Sequence, residues 1–276
     1  MLSLAWRGRS VFRPAPEGVA DVLDVACFPL VPYANRIADG RFVFEGRSVR
    51  LPRLERFAPH TLHGDGWRLP WTAERRTASR VEMRCDGSGD PAGWPWPWRA
   101  RQIVDLTDQG LTMTLSVANT GPTPMPAGLG LHPHFHRSAD SRVRLSADGV
   151  WVTDARNILE RLAPVSEVAD WSSGLGLADA PFVDHAYAGW TGEAVLDQGD
   201  HRVTMTADAP AHWVQVYAPT GADFVCLEPV THRPDAHNAP VSEWTGMRRL
   251  SPGESLGIVM RVTAEDRAGS SRPDTD

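Results

Sequence analysis

The sequence predicts an all-β protein, a sandwich or a barrel, on three observations. Apolar and polar residues alternate over many short stretches, and no long stretch carries apolar residues at the i, i+3, i+4, i+7 spacing of a helix. Turn-forming residues punctuate these stretches, with 24 glycines and 23 prolines among 276 residues. Two hairpins can be read directly from the pattern.

Taken in order, Phe42–Phe44 is the first strand candidate. Asp86–Pro97 reads as a long loop rich in Gly, Pro and Trp. The first hairpin follows: Arg101–Thr107, a turn at Asp108-Gln109-Gly110, then Leu111–Val117. Its second arm puts Leu111, Met113, Leu115 and Val117 on one face and Thr112, Thr114 and Ser116 on the other, the period-two signature of a half-buried strand. Val143–Leu145 is a further candidate. Asp154–Leu177 is open between a short helix and an irregular loop. The second hairpin joins Glu193–Leu196 to His201–Ala207 through Asp197–Asp200, and Trp213–Tyr217, Phe224–Leu227 and Gly257–Val262 complete the strand set. No fixed-period repeat or linker divides residues 1–263, which are expected to form one domain. Ala264–Asp276 is polar and is expected to be a disordered tail.

All 28 basic residues are Arg, and the chain contains no Lys. That excludes the phosphate-binding loop, protein-kinase chemistry and Schiff-base catalysis, each of which needs a lysine. A formal charge of −6 argues against a nucleic-acid partner. Cys27, Cys85 and Cys226 are odd in number and far apart, with no C-x-x-C pair, as in a reduced cytoplasmic protein. Arg7 and Arg9 break the apolar start, so no signal peptide is expected, and no apolar run is long enough to span a membrane.

Four clusters can carry chemistry. Asn35-Arg36 precedes a turn at Asp39-Gly40 and offers a fork of donors to a hydroxylated ligand, or is a surface strand entrance. His60-Thr61-Leu62-His63-Gly64-Asp65-Gly66-Trp67 has glycines placed where backbone must approach something closely. His132, His134 and His136 share a face of an extended chain. They are open to three readings: structural, one ligand-contacting histidine, or a three-histidine metal site. Pro133 argues against a regular central strand there. Glu228 ends the apolar run Phe224–Leu227, as a salt-bridged edge residue or a partly buried base. Of the 11 tryptophans, Trp94, Trp96 and Trp98 are separated by prolines and are not expected all to be core. With Trp67 and Trp71 they are the candidates for a rim that covers the apolar face of a sugar ring.

In order and identity these clusters resemble the aldose 1-epimerase (mutarotase) family. The resemblance rests on Asn35-Arg36-Ile37 with Gly40, His63-Gly64, His132-Pro133 with Phe135, Asp184-His185 with Tyr187, and Leu227-Glu228-Pro229, and runs from about Leu30 to Met260. It implies a large antiparallel β-sandwich of the galactose mutarotase-like kind and interconversion of the α and β anomers of an aldose. It implies no metal or cofactor, and no partner beyond a small-molecule sugar. Glu228 would be the general base at the anomeric hydroxyl and His132 the general acid at the ring oxygen. His63, Arg36 and Asp184 would hold the sugar, with Asn35 and Trp67 beside them. The family's usual Tyr after His-Pro is His134 here, and Asp65 separates Gly64 from Gly66. Two alternatives stand beside this reading. One is an anionic substrate, a hexose 6-phosphate or sugar acid held by Arg41, Arg53, Arg56, Arg68 or Arg99. The other is a carbohydrate-binding protein without catalysis.

Overall fold

The computed structural model describes residues 1–267. Two nine-stranded antiparallel sheets make up most of the fold. In the first sheet the central strands run in the spatial order Gly130–His136, Phe224–Val230, Trp213–Ala218, Val183–Ala188, with Cys27–Leu30 pairing the outer side of Gly130–His136. The second is built around the two expected hairpins, seen as Pro97–Thr107 with Gly110–Asn119 and Glu193–Asp197 with His201–Ala207. Ser255–Asp266 pairs both and joins them.

Alternation explains why the sheets pack. Leu111, Met113, Leu115 and Val117 are buried and form one cluster with Leu131, Phe135, Val214, Val216, Val225 and Leu227 from the other sheet. Each fully buried side chain of this size contributes roughly 1.5–3 kcal/mol. The complementary phase of the first sheet's central strands, even-numbered on Gly130–His136 and Phe224–Val230, therefore points away from the core. That phase carries the polar residues described below.

Several sequence expectations change. Trp94, Trp96 and Trp98 are all buried. The chain bends at Trp96 and enters the strand at Pro97. Trp94 and Trp96 pack against each other with ring centroids 5.2 Å apart and against Phe42. Trp98 lies so close over Gly87 that a Cβ there would stand 2.1 Å from its indole nitrogen. The loop before Trp98 is shorter than expected, because strands Arg80–Ser88 and Pro97–Thr107 extend into it. Asp154–Leu177 holds a strand, Leu159–Ala163, and a short 3-10 turn, Val165–Glu167. The last strand continues through Ala264 to Asp266, so these residues are part of the sheet rather than of the expected tail; from residue 268 that expectation lies outside the described residues. The three cysteines are free and buried, and among the described residues no helix is long and apolar enough to cross a membrane.

Candidate active site

Strand register assembles the site. Directly opposed residues of antiparallel neighbours share a face. One row across the first sheet runs Phe28, His132, Glu228, Gln215: His132 pairs Phe28, and Gln215 pairs Glu228. The next row runs His134, Cys226, Tyr217, Asp184. The ladder between Gly130–His136 and Phe224–Val230 pairs Gly130 with Val230 and resumes at His134 with Cys226. In the gap sit Pro133 and Pro229, which have no N–H to give. Pro133 is thus tolerated in a central strand, contrary to the sequence expectation, and beside it His132 and Glu228 meet through their side chains. Nε2 of His132 lies 3.2 Å from Oε1 of Glu228. Glu228 is also well inside its strand, which continues to Val230, rather than at its edge.

A cavity of about 530 Å³ opens over this face, lined by Asn35, Arg36, His63, His132, Asp184 and Glu228 among others. Six of the seven residues singled out for the site therefore converge. Trp67 does not line it. It is buried and packs edge-on behind His63, with ring centroids 6.1 Å apart, and its other side faces a larger, mainly apolar cavity of about 780 Å³. That second cavity contains no acid–base pair, so its size does not make it the reaction site. Trp71 is also at the apolar cavity and donates from its indole to the Gly66 carbonyl at 2.8 Å.

The loop holding His63 depends on its glycines. Backbone N–H groups of His63, Gly64 and Gly66 donate to the carbonyls of Asn35, Tyr33 and Val31, each at 2.9 Å. A Cβ on Gly64 would stand 2.4 Å from Pro32, and one on Gly66 2.2 Å from Val31. The close approach read from the sequence is therefore made against residues 31–35. The Asn35 N–H in turn donates to Nδ1 of His63 at 3.0 Å. This places the ring proton on Nε2, a donor for a ligand. Asn35 itself has φ 60°, a left-handed conformation that Asn tolerates.

Electrostatics separate the groups. Burial raises Glu228 well above the ordinary carboxylate range; the nearby Asp184 charge adds to this and Arg36 opposes it. Burial, with His134 and His63 close by, pushes His132 well below the ordinary imidazole value. His63 is pushed down to about 3 by burial and the Arg36 charge, and His134 to about 4 by burial and Arg13. Asp184 is anchored by Arg36 at 3.2 Å and by the Gln215 amide at 2.7 Å. His132 stacks on Phe28 with centroids 4.4 Å apart, which fixes its ring plane.

The sequence reading missed Gln215, Tyr217, Phe28 and Arg13. The signal for the first two was present as polar residues in one phase of Trp213–Ala218, but only the register shows that this phase meets Glu228. The three-histidine set does not form: the ligand-capable cluster among the described residues is His132, His134 and Cys226, with its ligand atoms within 4.8 Å of one another. Arg53, Arg56, Arg68 and Arg99 are held elsewhere, by the Pro59 carbonyl, Asp21, Asp65 and Asp86. Arg41 lies at a separate depression.

A buried carboxyl–imidazole pair on the floor of an open, sugar-sized cavity in a two-sheet antiparallel protein defines a galactose mutarotase-like fold with acid–base chemistry available to it. Residues 1–263 match the aldose 1-epimerase family, and the chain belongs to that family. The uncharacterized protein YphB of Escherichia coli K12 is 32% identical over 272 residues, covering 94% of this chain and 91% of that one. A crystal structure of an Escherichia coli K12 protein provisionally called an aldose 1-epimerase superposes with a TM-score of 0.84 at 31% identity, covering 95% and 91% of the two chains. A galactose mutarotase-like protein of Clostridium acetobutylicum shares the fold, with a TM-score of 0.82 at 19% identity and coverage of 94% and 86%.

Proposed function

We propose that the chain is an aldose 1-epimerase that interconverts the α and β anomers of a sugar through its open-chain aldehyde. The observation that carries this is the Glu228–His132 pair, 3.2 Å apart on the cavity floor. Ring opening must remove the proton of the anomeric hydroxyl and deliver one to the ring oxygen, as the bond from C1 to that oxygen breaks and the C1 carbonyl forms. Glu228 is the base for the first transfer and His132 the acid for the second. Rotation about C1–C2 presents the other carbonyl face, and closure returns both protons. Nothing is consumed, and no amine nucleophile is required, in keeping with a chain without lysine.

Burial favours the neutral form of each member, so at rest the pair's one transferable proton sits on Glu228; its passage across the 3.2 Å contact to Nε2 of His132 yields the carboxylate base and imidazolium acid that the reaction uses. Addition of a second proton removes the base, and loss of the only proton removes the acid. A bell-shaped dependence of kcat/KM on pH follows. His63 stays neutral down to about pH 3 and serves as a hydrogen-bond donor rather than a charge. Arg36 and Asp184 bind ring hydroxyls.

The test is polarimetry of a freshly dissolved α-anomer with wild-type protein and with Glu228→Gln and His132→Gln. Each substitution should lower the rate by about 10²-fold or more. Full activity in either variant refutes the role given to that residue. Unchanged activity after exhaustive chelation is also expected, since no step uses a metal.

A further inference from the structure

We propose that Arg13 is a recognition site for an anionic group, a phosphate or carboxylate, that the substrate carries at a position remote from its anomeric carbon; the identity of that ligand as a sugar rests on the epimerase reading above. Two arginines line the cavity, Arg13 and Arg36. Arg36 is matched by Asp184. Arg13 has no carboxylate within 4 Å among the described residues. One of its terminal nitrogens donates to the Asp24 carbonyl at 3.0 Å, and its Nε is buried without any hydrogen-bond partner. A buried donor left unmatched is costly, and a guanidinium satisfies such donors best with a planar or tetrahedral oxyanion.

The side chain is preorganised for this. Its backbone N–H donates to the His134 carbonyl at 2.8 Å, which ties it to the site strand. Its guanidinium lies 4.5 Å over the Phe224 ring, and Phe224 meets His134 edge-on at 4.9 Å. Phe224 is four residues from Glu228 along one strand, about 13 Å at ~3.3 Å per residue. Arg13 and Glu228 line the same cavity, so a sugar with C1 at Glu228 has room to direct a charged group on its far end toward Arg13, past Tyr217. Asp24 also lines the cavity, and its charge lies in the field of Arg56, which already pairs with Asp21.

The experiment measures calorimetric binding of glucose, glucose 6-phosphate and glucuronate to wild-type protein, Arg13→Gln and Arg13→Lys. At least one anionic sugar should bind wild-type protein about tenfold or more tighter than glucose, the fold-change of one charge-assisted hydrogen bond. Arg13→Gln should abolish that preference, read as the ratio of anionic-sugar to glucose affinity within each variant, and Arg13→Lys should keep part of it. The two anionic sugars distinguish a phosphate site from a carboxylate site. Equal binding of all three sugars by wild-type protein overturns the assignment, as does a preference that survives in Arg13→Gln. Polarimetry of the same sugars separates the two readings: an Arg13-dependent binding preference without mutarotation of any sugar refutes the epimerase and leaves the anion site standing.

Discussion

Asp184→Asn isolates the field that sets the acid–base pair. The Asp184 charge adds to the elevation of Glu228, and Arg36 opposes it. Replacing Asp184 by its isosteric amide removes the first influence and leaves the second uncompensated. Asp184 lies two strands from Glu228 and one two-residue step along, about 12 Å at 4.7–4.9 Å per strand and ~3.3 Å per residue. At an effective dielectric near 20, a unit charge at that distance is worth on the order of 1.5 kcal/mol, or about one pH unit. Solvent access to the cavity makes this an upper figure. Loss of a neighbouring negative charge makes the carboxyl easier to ionise, so the pair gives up its proton at lower pH. The alkaline limb of kcat/KM, followed by polarimetry from about pH 5 to 10, should therefore move down by up to about one unit. The amide oxygen introduced by this substitution can accept from Arg36, while its NH2 can donate to Gln215 Oε1, which has no partner in the wild-type chain, once that amide flips, so folding should be retained. An alkaline limb that stays in place or moves upward contradicts the assignment of that limb to the proton shared by Glu228 and His132.

Other outcomes follow from the same geometry. Gly66→Ala forces a Cβ to within 2.2 Å of Val31, which should cost about 1–3 kcal/mol in denaturant unfolding and raise KM by displacing His63. Trp94→Ala should cost about 3–5 kcal/mol, because the ring is core; a stable protein with only a raised KM would restore the binding-rim reading. Acid should weaken the fold through its buried imidazoles. His63, His134 and His232 are held at about 3, 4 and 4 in the folded chain, against about 6.5 unfolded. Between about pH 6.5 and 4 the unfolded state binds more protons, so stability falls as pH falls, by on the order of 1.4 kcal/mol per unit for each imidazole. His132 and His237 are also pushed down and add to this, and Glu228 and Asp235, with raised folded values, oppose it as two groups against five. A denaturant midpoint at about pH 5 that is no lower than at about pH 7 refutes the neutral burial of these histidines.

What the sequence revealed and what it hid divide along the range of the interactions. Hairpins are local, and alternation with a short polar turn places both arms of Pro97–Asn119 and Glu193–Ala207. The acid and base were legible as residue types in motifs, Glu228 in Leu-Glu-Pro and His132 in His-Pro. Their meeting was not, because it depends on how two strands far apart in the sequence align. The same is true of Gln215, which sits between Val214 and Val216, and of Arg13, between Phe12 and Pro14; both look ordinary until the register sets them beside Glu228 and His134. The tryptophans misled for a physical reason. Proline spacing was read as exposure, whereas the Trp-Pro-Trp-Pro-Trp run buries every ring, with glycines such as Gly87 clearing space for them.

The most direct measurement is the change in optical rotation of freshly dissolved α-anomers, neutral and anionic, with and without catalytic amounts of the protein. Accelerated decay to the equilibrium rotation for at least one sugar, abolished in Glu228→Gln, is the predicted result. Decay at the uncatalysed rate for every aldose tried, with wild-type protein that is folded and binds sugar, would contradict the claim that the Glu228–His132 pair catalyses anomer exchange.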